Sequence, residues 1–331
     1  MSGKVSNNIS QSSGSITEPA GGVEIRSDDP TLSEGLMWYN TTANTLKVAR
    51  NIGAWSNGGN LNAAARKTGG DGTQGASFSC GGRNASENYA NDTEEYNGSA
   101  WSTSNNLGTG RHAIAACGTQ TAGLSFGGST SSGKSTECEE YDGTSWTTTS
   151  VGDLSTGRDD LDGCGTQGAG LAFAGYVSAA SAVTEEYNGS SWSSGGALGT
   201  AQYQGGGCGT QSAGLFFGGS SQATKTEEYD GSNWATGGNL GTGVHTPASF
   251  GIQTDGICAG GNTGSVTTIT QGYNGTAWST EDALTTARDQ FDGSGTAGLG
   301  LTFGGADSGG NIVATTEEFT DTVTARSVTA S

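Results

Sequence analysis

Adjacent glutamates recur along this sequence, and paired carboxylates are the residues with which most glycoside hydrolases cleave a glycosidic bond. Neighbouring residues of a β-strand point to opposite faces of the sheet, however, so the two carboxylates of one pair cannot flank a single bond. An enzyme also needs only one catalytic pair, whereas this pair occurs in five repeats. We therefore predict a structural or merely acidic role, and no catalytic residue, for the five pairs Glu94-Glu95, Glu139-Glu140, Glu185-Glu186, Glu227-Glu228 and Glu317-Glu318.

The six cysteines and two histidines are the other residues that could react or bind a metal. No CxxC motif occurs, so the spacing supplies no zinc site. Cys117, Cys164 and Cys208 hold equivalent places in a repeat whose copies would lie about 10 Å apart, beyond the reach of a disulfide, and we predict buried free thiols. The segment 159–163 resembles part of a calcium loop but lacks its glutamate. The sequence thus predicts neither a metal nor a cofactor.

These residues belong to a repeat in which Thr-Glu-Glu-Tyr-Asn-Gly precedes a tryptophan, as in 184–192. We interpret each copy as a β-hairpin with a two-residue Asn-Gly turn. Tryptophans at positions 55, 101, 146, 192, 234 and 278 mark the copies. A period of about 44 residues with four strand-like segments is typical of propeller blades. The sequence therefore predicts an all-β, six-bladed β-propeller.

A leucine after each tryptophan aligns the repeats, and a glycine follows that leucine by eleven residues in every copy. We place this glycine in the innermost strand, where the blades converge and a side chain would collide. A propeller must also close its ring, because an open edge strand invites aggregation. We expect the strand around 54–57 to complete the blade that contains 316–319. The glycines are Gly72, Gly118, Gly165, Gly209, Gly251 and Gly295.

The repeats resemble the kelch family of β-propellers, related in fold to the central domain of galactose oxidase. The resemblance covers 54–319 and rests on a double glycine, a following tyrosine and a tryptophan five residues later, as in Gly127-Gly128, Tyr141 and Trp146. The Gly-Thr-Gln and Thr-Glu-Glu-Tyr-Asn-Gly motifs are similar to those of short kelch-like proteins from tailed phages of marine bacteria. This resemblance implies a virion component. Galactose oxidase chemistry is not expected, because only two histidines are present and they lie on opposite sides of the predicted ring.

Recognition is expected on one face of the propeller, where the connections between the second and third strands vary in length and content. The same face receives the crossing from each blade to the next. On that face, each repeat has a polar residue five positions after the aligned leucine. We call these six residues the column, and we predict that they rim the central channel and contact a ligand or partner. A solvated polar rim is the alternative. The column is Arg66, His112, Asp159, Tyr203, His245 and Asp289; Arg111 and Arg158 precede two of its members, and Tyr89 and Tyr176 lie in the variable loops.

The ends of the chain lack the repeat. Residues 1–50 are predicted to be an anchoring arm and hairpin, 51–320 the propeller, and 321–331 a tail. The first 35 residues are either a flexible arm or a segment that orders only against a partner. The hairpin 36–48 resembles a small motif of phage tail-fibre and other virion proteins. We expect the arm to join other virion proteins and the protein to be oligomeric on the particle.

Composition excludes several partners. The formal charge of −19 repels nucleic acid and anionic membranes. No apolar run approaches the length of a membrane span, and we expect no signal peptide, so the protein is made in the host cytoplasm. The 61 glycines fit closely packed strands rather than disorder.

Three functions remain in competition. The first is a non-enzymatic virion protein whose propeller attaches to a host-surface polysaccharide or receptor. The second is a capsid decoration or tail adaptor protein without a ligand of its own. The third, less favoured because no unique acid pair can be placed, is a glycan-degrading enzyme.

Overall fold

The computed structural model describes residues 9–11, 14–16, 24–27, 36–42, 44–86, 88–149, 151–220 and 224–327. These residues form strands and turns and contain no helix, so none of them builds a helix that could cross a membrane. Contacts divide the chain into two units, 1–54 with 321–331, and Trp55–Thr320. The second unit consists of six antiparallel four-stranded blades in a ring, which confirms the all-β, six-bladed propeller.

The first five blades place their strands in chain order from the axis outward, and the sixth does so for its first three strands. The inner strands are Gly69–Thr73, Ala115–Thr119, Asp162–Thr166, Gly205–Thr210, Ala248–Ile252 and Asp292–Thr296. The second strands are Ala76–Cys80, Ala122–Phe126, Ala169–Phe173, Ala213–Gly218, Asp255–Ala259 and Leu299–Phe303. The third strands are Thr93–Tyr96, Cys138–Tyr141, Thr184–Tyr187, Thr226–Tyr229, Thr270–Tyr273 and Thr316–Ser327. The outer strands are Trp101–Ser104, Trp146–Thr147, Trp192–Ser194, Trp234–Thr236, Trp278–Glu281 and, for the sixth blade, the end of Thr45–Asn57.

Short strand pairs extend three of the blades beyond their second strands. They are Ala65–Arg66 with Arg83–Asn84, Ser129–Thr130 with Gly133–Lys134, and Arg288–Asp289 with Ala306–Asp307.

The first unit contains the predicted hairpin, because Met37–Asn40 pairs antiparallel with the beginning of Thr45–Asn57. Glu24–Arg26 runs parallel to Met37–Asn40, and Ile9–Gln11 pairs with Gly14–Ile16. Most of the predicted anchoring segment 1–35 lies outside the described residues. The predicted tail, 321–331, begins inside the strand Thr316–Ser327.

The ring closes as predicted, with the two ends of the propeller sequence in one blade. The strand that ends at Asn57 is the neighbour of the strand that begins at Thr316. The Gly58 N–H donates to the Thr316 carbonyl at 3.0 Å, and the Trp55 and Phe319 rings lie 5.0 Å apart. This arrangement gives the sixth blade the fourth strand that the repeat at the end of the propeller lacks.

The hairpin turns differ from the prediction, because four residues rather than two join the tyrosine strand to the tryptophan strand. Tyr187 pairs with Trp192, which leaves residues 188–191 as the loop. The Asn188 carboxamide oxygen accepts the N–H groups of Ser190 and Ser191 at 3.1 and 3.0 Å. Only Gly189 has a positive φ. The asparagine therefore acts as a side-chain cap of the turn rather than as a left-handed residue.

The inner-strand glycines are required for a reason other than the predicted one. Gly118 has a φ of 111°, and a Cβ there would lie 2.3 Å from the carbonyl oxygen of Ala122 in the same blade. The expected collision exists, but its partner is the neighbouring strand of the same hairpin and not another blade at the axis. These glycines thus permit the tight turn from inner to second strand.

Three hydrogen bonds recur between neighbouring blades and explain most of the repeat. The tyrosine hydroxyl donates to the second glutamate of the preceding blade, as Tyr187 does to Glu140 at 2.9 Å. The tryptophan Nε1–H donates to the first threonine of the preceding third strand, as Trp234 does to Thr184 at 2.9 Å. The glutamine of Gly-Thr-Gln donates to two carbonyls of the preceding blade: Gln167 Nε2 contacts Gly123 O at 3.1 Å and Tyr141 O at 2.7 Å.

The core fills the spaces between blades. One cluster joins Leu124 and Phe126 of the second blade to Tyr187 of the third, and each of these side chains is completely buried. All six cysteines are buried in such spaces, which confirms the prediction of buried thiols. The core is therefore divided among six interfaces of similar composition rather than gathered in one place.

Candidate functional site

The central channel opens on the face that carries the variable loops, which we call the mouth face. One residue just before each inner strand has a left-handed backbone, with φ from 49° to 60°. Its N–H donates to the carbonyl of the equivalent residue in the preceding blade, at 2.7 to 3.1 Å. These residues, which we call the mouth ring, form a closed circle of backbone hydrogen bonds. They are Lys67, Ala113, Asp160, Gln204, Thr246 and Gln290.

Behind the mouth ring lies a cavity of about 130 Å³, lined by all six ring residues and by the inner strands. The Lys67 ammonium contacts the Asp160 carboxylate at 2.8 Å, and Gln204 donates to the other oxygen of Asp160 at 3.0 Å. Three blades are thereby linked by side chains at the entrance. The mouth consequently offers charges and amides rather than an apolar surface.

Three aspartates lie deeper in the cavity, on the inner strands of the first, third and sixth blades: Asp71, Asp162 and Asp292. Asp71 accepts the N–H groups of Gly72 and, in the next blade, Gly118, at 2.7 and 2.8 Å. Burial raises the pKa of Asp71 and of Asp162 to about 7 and that of Asp292 well above its usual value. Burial thus favours the protonated, uncharged form of all three carboxyl groups.

The predicted column lies one position before the mouth ring, and none of its members lines the cavity. Their backbones instead pair with the first residues of the variable loops, as His112 does with Ser129 and Asp159 with Tyr176. The residues that line the cavity therefore follow the predicted column by one position, and contact of the column with a ligand or partner stays a prediction. Its members, Arg66, His112, Asp159, Tyr203, His245 and Asp289, form a tier between the channel and the loops. The mouth ring follows the aligned leucine by six residues, but a left-handed backbone at residues other than glycine has no sequence signature.

His112 is the centre of one group in this tier, which we call the histidine cluster: Arg66, Arg83, Tyr89 and His112. An Arg83 guanidinium nitrogen lies 3.2 Å from His112 Nε2, and the guanidinium carbon lies 5.2 Å from the Tyr89 ring centre. The Tyr89 and His112 rings are 5.1 Å apart. Burial, and then the charges of Arg83 and Lys67, lower the pKa of His112 to about 4. The imidazole is therefore neutral at physiological pH.

A second group, the tyrosine cluster, joins Lys134, Asp159, Tyr176 and Tyr203. The Tyr176 and Tyr203 rings are 5.2 Å apart, and the Lys134 ammonium lies 4.5 Å from the Tyr176 ring centre. Lys134 also forms an ion pair with Asp159. Both tyrosines are partly exposed. The group thus combines aromatic faces with a charged donor and a charged acceptor.

The remaining members of the column, His245 and Asp289, lie in the fifth and sixth blades and both contact Asn262. The His245 backbone pairs with Asn262, whose carboxamide donates to Asp289 at 3.2 Å. Asp289 is 6% exposed and also accepts from Gln290 at 3.3 Å. The two histidines lie in the second and fifth blades, on opposite sides of the ring, as the repeat spacing predicted.

Arg111 and Arg158 do not belong to the mouth face, contrary to prediction. Both are completely buried. Arg158 contacts the first glutamate of its blade, Glu185, at 2.6 Å, and Arg111 contacts Glu139 at 2.9 Å. An arginine that is removed from water needs such a partner, because an unpaired buried charge is strongly unfavourable. The first glutamate of a pair therefore serves the interior of its blade, and the second serves the neighbouring blade.

The thiols offer little chemistry. Burial raises the pKa of Cys80 and Cys138 to about 12, so these sulfurs remain protonated and unreactive. Among the described residues no group of three His, Cys, Asp or Glu side chains is placed to hold a metal ion. The arrangement at the mouth face can donate and accept hydrogen bonds, pair with charges and stack against rings.

Comparison with known proteins shows similarity in fold. No protein-family model matches the sequence, and no curated protein matches it. A solved structure of YjhT superposes with a TM-score of 0.65 at 14% sequence identity, over 81% of this chain and 99% of that one. At this identity the likeness shows the propeller fold alone.

Proposed function

We propose that this chain is a non-enzymatic binding protein that recognises a bacterial surface glycan through the mouth face of its propeller. The observation that carries the proposal is the tyrosine cluster, in which two partly exposed rings lie 5.2 Å apart beside an ion-paired lysine and aspartate. Sugar rings present apolar C–H faces and hydroxyl edges, so they need an aromatic surface next to donors and acceptors. The tyrosine cluster supplies all three.

A non-enzymatic role is supported by the structural contacts of the residues that could react. The paired glutamates, the sequence feature closest to a glycosidase signature, bind an arginine within a blade and a tyrosine between blades. The cysteines are buried. These residues are thus occupied by structural roles.

The place of action that we propose is the surface of a phage particle. The support is the resemblance of the repeats to kelch-like phage proteins and of the hairpin 36–48 to a virion motif. In this proposal residues 1–50 bind other virion proteins, the propellers are oligomeric on the particle, and neither nucleic acid nor a membrane is a partner. A decoration or adaptor protein without a ligand is the competing role.

The test is binding of the full chain to an array of bacterial surface polysaccharides, with the solution analysed for released sugar. We expect saturable binding that Tyr176→Ala and Tyr203→Ala each weaken by about tenfold, since each removes one stacking surface. Ile252→Ala is the matched control, because Ile252 is 52% exposed on the opposite face. No binding would favour the decoration or adaptor role, and released sugar would favour an enzyme.

A further inference from the structure

The cations on the mouth face of the propeller have partners within the protein. Each lysine between 55 and 320 contacts a carboxylate. The pairs are Lys67 with Asp160 at 2.8 Å, Lys134 with Asp159, and Lys225 with Glu227 at 2.7 Å. Arg66 donates to Gln290 at 3.3 Å, and Arg83 lies 3.2 Å from His112. In the described part of the propeller, the mouth face therefore presents ion pairs rather than free ammonium groups.

One of these ion pairs belongs to the tyrosine cluster. The Lys134 and Asp159 side chains are 25% and 15% exposed, so a ligand can reach both. The Lys134 ammonium also lies 4.5 Å from the Tyr176 ring centre, which holds the charge beside the aromatic surface. Because the charges of the lysine and the aspartate cancel, the tyrosine cluster combines its rings with a donor and an acceptor but carries no net charge.

The donor and the acceptor of this ion pair match a hydroxyl group. An ammonium only donates hydrogen bonds and a carboxylate only accepts them, whereas a hydroxyl does both. A sugar hydroxyl can therefore satisfy Lys134 and Asp159 together. The carboxylate or sulfate of an acidic sugar only accepts, so it would leave Asp159 without a donor and would place two like charges side by side.

We propose that the tyrosine cluster binds uncharged polysaccharides, and that Asp159 is the residue that excludes acidic ones. Asp159 does so by neutralising Lys134, the lysine that lies against Tyr176. The formal charge of −19 acts in the same direction, because it repels a polyanion before contact. The inference rests on the proposed glycan recognition and deepens it by naming the class of glycan.

The first test uses the same array of bacterial surface polysaccharides. Each acidic polysaccharide is applied in two forms, unchanged and after carbodiimide-assisted borohydride reduction, which converts the carboxyl groups of its uronic acids to primary alcohols. We expect the full chain to bind uncharged and reduced polysaccharides and no unreduced acidic one. Preference of the wild type for an acidic polysaccharide over its reduced form would overturn the inference.

A substitution then tests Asp159 itself. Asp159→Asn keeps the shape of the side chain and an oxygen that accepts from Lys134, but it leaves the ammonium charge uncompensated. We expect this variant to bind acidic polysaccharides about tenfold more tightly than the wild type does, as gain of a charged hydrogen bond predicts. The gain should fade as the NaCl concentration rises, because salt screens an exposed charge.

Asp230→Asn is the matched control, because it removes the same charge from an exposed turn at the end of the fourth blade's third strand. Melting temperatures establish that both variants are folded, and the comparison of reduced with unreduced polysaccharides needs no variant. Equal affinities of Asp159→Asn and Asp230→Asn for acidic polysaccharides would contradict the role of Asp159.

Failure of this inference is distinguishable from failure of the proposed function. Binding that Tyr176→Ala weakens but that favours acidic polysaccharides would leave glycan recognition standing and remove the selection by Asp159. Absence of binding to every polysaccharide, whether acidic, reduced or uncharged, would remove both.

Discussion

At the scale of single residues, the interface between the second and third blades differs from the other five in one hydrogen bond. Five tryptophans donate Nε1–H to a threonine hydroxyl of the preceding blade, as Trp146 does to Thr93 at 2.9 Å. Trp192 instead faces Cys138, which stands at the threonine position, and sulfur is a weak acceptor. Among the described residues, Trp192 Nε1 has no partner of normal geometry. The second blade therefore lacks a hydrogen bond that its equivalents possess.

This defect gives a prediction. Cys138→Thr should raise the free energy of unfolding by about 1 kcal/mol, the usual net value of one hydrogen bond, because it supplies the missing acceptor for Trp192. Cys138→Val is the control, since valine has the shape of threonine without the hydroxyl. The measurement is the urea unfolding midpoint of each variant. Equal midpoints for Thr and Val would show that the indole gains nothing from the hydroxyl.

A second local departure is compensated within the chain. The tyrosine hydroxyl of each blade donates to the second glutamate of the preceding one, but the fifth blade has Gly272 at the glutamate position. The next blade has Phe319 at the tyrosine position. Because donor and acceptor are absent together, neither is buried without its partner, and Phe319 packs against Trp55 and Phe250 instead.

At the scale of the strand, the glutamate pair divides its work between the two sides of the third strand. Glu185 is 1% exposed and contacts Arg158 at 2.6 Å, whereas Glu186 is half-buried and accepts the Tyr229 hydroxyl at 2.6 Å. Alternation of side chains along a strand makes this division possible. The alternation of side chains that argues against a catalytic glutamate pair thus lets the first glutamate act within its blade and the second act between blades.

The division predicts unequal effects of the same substitution. Glu185→Gln should lower the free energy of unfolding by about 3 kcal/mol, because it leaves the buried Arg158 without a countercharge. Glu186→Gln should cost less than about 1 kcal/mol, since its amide oxygen still accepts from Tyr229. Both values come from chemical denaturation of the full chain. Similar losses in the two variants would contradict the assignment of a buried ion pair to Glu185.

At the scale of the whole molecule, the ring gathers three carboxyl groups from separate blades in the axial cavity. Burial raises the pKa of Asp162 to about 7 from an ordinary value of 3.8. The folded protein then binds a proton more tightly than the unfolded chain between these values, so stability falls as pH rises from about 4 to about 7. Asp71 and Asp292 act in the same direction. The three buried carboxyl groups therefore make the folded protein more stable at acidic than at neutral pH.

Asp162→Asn should remove one contribution to this pH dependence. The stability of the variant relative to the wild type should rise between pH 5 and pH 7, with a slope of up to about 1.4 kcal/mol per pH unit. Asp230→Asn is the control: Asp230 caps an exposed turn that Asn188 caps in another blade, so the substitution removes the same charge and keeps the turn. A constant difference between Asp162→Asn and wild type across this range would contradict the raised pKa.

The sequence by itself determined the number of blades and the strand that closes the ring. Both follow from local patterns that repeat, tryptophan spacing and the unmatched ends at Trp55 and Phe319. It also indicated a structural role for the glutamate pairs, because alternation along a strand is a local rule.

Only the tertiary structure decided which polar residues meet. Arg111 and His112 are neighbours in the chain, yet the first is completely buried in an ion pair and the second lies beside Arg83 and Tyr89 on the mouth face. The mouth ring depends on left-handed backbones at residues such as Lys67 and Asp160, which no composition predicts. Asp71, Asp162 and Asp292 come together only because six strands converge on one axis. Site chemistry depends on distances between blades, and a repeat pattern carries no information about those distances.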